Sequence, residues 1–161
     1  MEIKYPDAKQ KDSFNDGKKY ELFVATEFYR VHHIPIQLYR TREEQYQIGE
    51  SRQGIEIKED SRCTETGRLS IEIAEKTRKE QIDWIASGIY RNDNSWLYAQ
   101  GNRQIIFIFG KNILQLLHKS GRYGEHEAPP PPQKPTVRAF YLSIQDAKKY
   151  ASLIIKPSDQ G

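Results

Sequence analysis

The chain has 161 residues and a mass of 18.9 kDa, the size of one ordinary domain able to bury its own core. Hydrophobic residues make up 37%, charged residues 29% and aromatics 11%, which excludes wholesale disorder, and a net charge of +3 permits a polyanionic partner without requiring one. A single cysteine, Cys63, excludes an internal disulfide framework or a Cys-rich zinc site; the polar start MEIKYPDAKQKD has no apolar signal core, and no run approaches the ~18–20 apolar residues of a membrane span, so a soluble cytoplasmic domain is expected.

Residues 1–13 read as a polar lead-in. Asn15 or Asp16 can cap a helix whose broad apolar face carries Leu22, Phe23, Val24, Ala25, Phe28 and Val31, and which His32, His33 and Pro35 close. IPIQLYR at 34–40 alternates as a half-buried strand does, and 41–53 is a polar connection. GIEIKED at 54–60 and RLSIEIAEK at 68–76 both alternate with period two around the polar turn SRCTETG, and predict a hairpin. After an irregular segment at 77–95, WLYAQ and RQIIFIF predict a second hairpin around Gly101-Asn102, and Ile113, Leu114, Leu116 and Leu117 a helix at 111–120. GRYGEHEAPPPPQKP at 121–135 is an extended, exposed Pro-rich stretch. TVRAFYLSI then predicts a strand and QDAKKYASLII a final helix. This order predicts an α/β chain, a central mixed sheet flanked by helices, in a single domain over 1–161.

In the first predicted hairpin Glu56, Lys58 and Asp60 share one face of their strand, and Ser70, Glu72, Ala74 and Lys76 share one face of the other. Antiparallel pairing sets these polar rows side by side, with opposed Cβ atoms ~4.5–5.5 Å apart. Carboxylates that close repel unless a divalent cation sits between them, and an adjacent Lys can stabilise developing negative charge. These are the parts for metal-assisted phosphodiester hydrolysis. The plain alternative is a solvent-facing strand pair whose Glu and Lys form ion pairs worth ~0–1 kcal/mol each.

With these residues the chain resembles the PD-(D/E)XK nucleases, of the restriction endonuclease-like and resolvase-like branches. GKKYE at 17–21 is similar to the Gly-x-x-x-Glu of that family's first helix, GIE at 54–56 to its Gly-x-Asp, and SIEIAEK at 70–76 to its third strand. The resemblance implies an αβββαβ core and Glu21 as the helix acid. It also implies Glu56 or Asp60 with Glu72 as ligands of Mg²⁺ or Mn²⁺, and Lys76 or Lys58 as the ammonium group, because Ala74 stands where the family has its lysine. A second assignment takes Glu56-Ile57-Lys58 as the acid-x-Lys motif, with Glu43, Glu44 or Glu50 upstream. It is placed behind the first because the spacing from Glu50 leaves little room for a hairpin. The implied activity is endonucleolytic cleavage of DNA, less often RNA, as in small phage and mobile-element nucleases, some of which act as homodimers.

Arg40, Arg52, Arg62 and Arg91 flank this site in sequence and are the expected phosphate contacts, and Asn92 and Asn94 lie beside Arg91. Two other roles are compatible with the chain: a non-catalytic nucleic-acid-binding or assembly protein that keeps the fold, and an interaction module that presents 129–135 to an aromatic groove.

Overall fold

A computed structural model describes residues 8–158, with side chains from residue 16. Residues 1–7 of the expected polar lead-in lie outside it, and from Ala8 the chain is already helical. Helix α1 (Ala8–His32) therefore begins before the expected caps Asn15 and Asp16, which sit within it. Its buried stripe is Tyr20, Val24 and Phe28, four residues apart, with Ala25 beside them. It stops where His33 takes a left-handed conformation (φ 55°), its N–H still bonded to the Tyr29 carbonyl, two residues before Pro35.

The chain is α/β, with two four-stranded sheets flanked by helices. The first sheet runs β1 (Ile55–Glu59), β4 (Leu97–Gly101), β5 (Ile106–Gly110) and β8 (Leu153–Ile155). It is mixed: β1 and β4 are parallel and the other pairs antiparallel. Both its faces are covered. Ile55, Ile57, Ala99, Ile106 and Ile108 pack on α1, whereas Tyr98, Phe107 and Phe109 join a second core. That double burial is why IIFIF reads as an unbroken apolar run.

The second sheet, all antiparallel, runs β3 (Ile85–Ala86), β2 (Arg68–Glu75), β7 (Val137–Ser143) and β6 (Glu125–Ala128). Leu69, Ile71 and Ile73 of β2 enter the second core with Phe140 and Leu142. Helices α4 (Lys111–Lys119) and α5 (Ile144–Tyr150) close that core with Leu114, Leu117 and Ala147. Two short α-helices, α2 (Arg42–Gln47) and α3 (Cys63–Thr66), and a 3-10 turn at Gly88–Tyr90 complete the described elements.

The second predicted hairpin is present as β4–β5, in register from Leu97↔Gly110 to Gly101↔Ile106. The first is not. SRCTETG folds into α3, capped by Gly67 at φ 71°, and carries the chain out of one sheet into the other. Glu56 is therefore opposite Tyr98, and Glu72 opposite Ala139. Alternation along both segments reports correctly which side chains share a face, but it is blind to the partner strand, and β1 finds a parallel one 42 residues on, Ile55 opposite Leu97. Two smaller expectations also change. The 34–40 segment makes only a short antiparallel ladder around the Leu38–Ser51 bridge, and Leu153–Ile155 ends the chain's last helix early to form β8.

Candidate functional site

The site grows out of the connection between α1 and β1. Thr41 opens α2 with a capping box: its hydroxyl accepts the Glu44 N–H at 3.1 Å, and the Glu44 carboxylate accepts the Thr41 N–H at 3.2 Å. This orients Gln45 inward, where its side-chain amide donates to the Glu21 carboxylate at 3.3 Å and to the Tyr39 carbonyl at 3.0 Å. Beyond α2 the ladder Tyr39 N–H to Glu50 carbonyl and Arg52 N–H to Gln37 carbonyl, both 2.9 Å, pins Glu50. The Glu50 carboxylate accepts the Ile57 N–H of β1 at 2.6 Å. On β1, Ile55 and Ile57 face α1, so Glu56 and Lys58 share the other side, and their charged atoms are 3.6 Å apart.

Glu56 is 1% exposed, and neither of its carboxylate oxygens has a hydrogen-bond partner among the described residues. Burial pushes its carboxyl above the ordinary range, against the pull of Lys58. Glu50 is pushed to about 8, first by burial and then, against the pull of Lys58, by the charges of Glu56 and Glu21. Glu21 is raised by burial too, against the Gln45 amide and Lys58. For Lys58 burial works against the ammonium, but Glu56, Glu50 and Glu72 together outweigh it and raise its pKa. Three carboxylates and one ammonium carry two net negative charges when all are ionised, which is the deficit one divalent cation cancels.

Glu72 does belong to this region. With Lys58 it lines two adjoining cavities of about 320 and 340 Å³, and its carboxylate accepts the Ser87 hydroxyl at 2.6 Å. It arrives from the second sheet, not from a strand paired with β1. Asp60 lines the second of those cavities, where its carboxylate accepts the Ser70 N–H at 2.9 Å. Lys76 is not brought in: its ammonium lies 4.6 Å over the Trp84 ring, and it lines neither cavity.

Of the four arginines, Arg62 lines the cavity with Asp60 but pairs with Glu65 at 3.1 Å. Arg40 and Arg52 line a separate groove with Leu22, Ala25 and Ile36. Arg91 lines the cavity with Glu56, yet its guanidinium donates to the Gln45 carbonyl at 2.6 Å and the Tyr46 carbonyl at 3.1 Å, and pairs with Asp93 at 3.6 Å. It ties α2 to the 88–95 loop. Glu50 belongs only to the second of the two sequence assignments, because the upstream acid sits on a ladder too short to show periodicity. Gln45 gave no signal at all.

Among the described residues no three His, Cys, Asp or Glu side chains converge on one point as a ready-made metal cage. The pair Glu50 and Glu56 nevertheless fits a hard cation. Both supply oxygen donors, one has two unpartnered buried oxygens, and Mg²⁺ is ordinarily held by one or two carboxylates while it keeps waters or substrate phosphate oxygens. Comparison with known proteins finds no family model, no curated protein and no solved structure that matches this chain. Among the described residues no helix is long and apolar enough to cross a membrane.

Proposed function

We propose that the chain is a metal-dependent nuclease of PD-(D/E)XK type that hydrolyses phosphodiester bonds in DNA. In this reading Glu56-Ile57-Lys58 is the acid-x-Lys motif and Glu50 the upstream acid, so the second of the two sequence assignments is the better supported. The observation that carries it is the buried Glu56 carboxylate, with no hydrogen-bond partner, 3.6 Å from the Lys58 ammonium. A buried carboxylate without a hydrogen bond is costly, and one set beside a charged partner in a cleft supports a role in binding a ligand or in a reaction.

Glu50 and Glu56 would hold Mg²⁺ or Mn²⁺, which when bound supplies charge to a phosphate oxygen and acidifies a water. Lys58 places its ammonium beside the reacting phosphate and offsets the charge that grows on it as water oxygen bonds to phosphorus and the bond to the leaving deoxyribose oxygen breaks. The leaving oxygen takes up a proton. Glu21, held by Gln45, tunes Glu50 through its charge. Glu72, bonded to Ser87, borders the substrate path. The one thiol, Cys63, is buried and free, as suits a reducing cytoplasm.

The test is cleavage of plasmid and single-stranded oligonucleotides with Mg²⁺ or Mn²⁺. Wild type cuts, Lys58→Ala loses about a hundredfold or more, and Glu72→Ala stays within about tenfold. Equal rates in wild type and Lys58→Ala reject the reading. Salt-dependent DNA binding that ignores divalent metal, without cleavage, supports a non-catalytic nucleic-acid-binding protein instead.

A further inference from the structure

On the face of the second sheet that carries Ser70 and Glu72, three planar groups are stacked in a column. The Tyr141 and His126 rings lie 3.6 Å apart, centroid to centroid, and only 8° from parallel. The Arg68 guanidinium carbon lies 3.6 Å from the Tyr141 centroid. Two groups that close to one ring centre must occupy its opposite faces, so the order is Arg68, Tyr141, His126. The register explains the column. Ser70 is opposite Tyr141, with Arg68 on the same face of β2, and His126 is opposite Ala139, whose small side chain lets the imidazole lie across it and reach the Ser70 hydroxyl at 3.1 Å. Arg68 is exposed, Tyr141 and His126 are half-buried, and His126 Nδ1 has no hydrogen-bond partner among the described residues.

Ser70 and Ala139, the two residues that His126 bonds and lies across, also line the larger cavity at the site, with Lys58, Arg62, Glu72 and Gln100. Ser70 and Glu72 are two residues apart on β2, about 7 Å. Ser70, which bonds the column through His126, and Lys58 thus line one cavity, and that cavity is the path by which a nucleotide on the column would meet Lys58.

We propose that the Arg68–Tyr141–His126 column is a binding platform for an unpaired nucleobase, so that the substrate is single-stranded nucleic acid, or an unpaired end, held beside the reacting phosphate. This rests on the nuclease reading. A base within a duplex has both faces covered by its neighbours and cannot add to a side-chain stack, whereas an exposed base stacks on aromatic rings and on guanidinium planes regardless of sequence. Two parallel rings with an exposed guanidinium over the outer face of one present a surface that a further planar group can extend. The link from His126 to Ser70 fixes the column relative to the cavity wall.

The experiment is equilibrium binding of a short labelled single-stranded oligonucleotide, intact or with one abasic site at successive positions, and of the matching duplex. Ca²⁺ replaces Mg²⁺ so that binding is read without turnover. Wild type prefers the intact single strand to the duplex, and one abasic position weakens binding about tenfold. Tyr141→Ala weakens the intact strand by a similar factor and adds no further loss on that abasic strand, while Tyr141→Trp, which keeps a stacking plane, restores affinity. Circular dichroism and thermal midpoint show that the variants fold.

Equal loss on intact and abasic strands, no loss, or a wild-type preference for duplex overturns the platform. Metal-dependent cleavage that survives any of these results leaves the nuclease reading standing. Absence of both cleavage and metal-dependent binding in wild type overturns both.

Discussion

The Glu50 carboxylate accepts the Ile57 backbone N–H at 2.6 Å, so a side chain from the loop before β1 is fixed at the residue between Glu56 and Lys58, the two charged residues that share the inner face of β1. One hydrogen bond thus joins the segment that follows α2 to β1, and places three ionisable groups together.

That setting gives the protein a pH signature. Glu50 titrates near 8 in the folded chain and near its ordinary value when unfolded, so the folded state binds the extra proton in between. A carboxyl with a raised folded pKa contributes stability that is fully present below its unfolded pKa and is lost as pH rises towards the folded one. The expected result is a metal-free thermal midpoint that declines from about pH 5 to pH 8, by at most a few kcal/mol of stability. Glu50→Gln flattens the decline, and so does a divalent cation that binds the ionised pair. Thermal melts across that range, with and without Mg²⁺, read both effects.

Arg91 is predicted to act as a staple and not as a phosphate contact. Arg91→Ala removes its bonds to the Gln45 and Tyr46 carbonyls and should cost about 1–3 kcal/mol in urea unfolding. The slope of DNA affinity against salt should stay as in wild type, because no phosphate charge is lost.

A second buried network anchors the same loop. Lys111 is 6% exposed and donates to the Arg91 carbonyl at 2.8 Å, the Ser95 hydroxyl at 2.7 Å and Asp93 at 3.2 Å. Burial alone would raise the Asp93 carboxyl, but the Ser95 hydroxyl and N–H and the Lys111 ammonium together hold it below its ordinary range. Asp93 therefore contributes stability at neutral pH that is lost as pH falls through its folded pKa. Lys111→Met removes the ammonium from that carboxylate and leaves it Ser95 and Arg91, so it should cost about 1–3 kcal/mol near pH 7, with acid unfolding starting at a higher pH than in wild type.

Gly88 and Gly67 separate crowding from backbone preference. Both have positive φ, 54° and 71°. A Cβ on Gly67 meets nothing within 4 Å, so Gly67→Ala should cost only about 1–2 kcal/mol. A Cβ on Gly88 would run into the Glu72 carbonyl and lie 2.8 Å from the Glu72 Cβ, so Gly88→Ala should be far more destabilising and should displace Glu72. Paired thermal melts measure the difference.

Much of this was legible in the residues. The apolar faces of β1 and β2, the β4–β5 hairpin around Gly101-Asn102, α4 and β7 follow from periodicity and turn chemistry, and so does the shared facing of Glu56 and Lys58. Strand partnership did not follow. A period-two pattern is satisfied by any neighbour, so nothing local distinguished the expected antiparallel partner β2 from the parallel partner β4. That one ambiguity moved the weight of the site from Glu72 and Lys76 to Glu50 and Lys58. The charge of Arg91 and its nearness in sequence point to phosphate, whereas its bonds go to two carbonyls more than 40 residues away.

The central claim is that Glu50 and Glu56 together hold a divalent cation beside Lys58, and Mn²⁺ titration followed by electron paramagnetic resonance tests it most directly. A saturable site in wild type that disappears in Glu56→Gln, weakens in Glu50→Gln and persists in Glu72→Gln is the predicted result. No saturable Mn²⁺ binding, or a site lost in Glu72→Gln and untouched in Glu56→Gln, would contradict it.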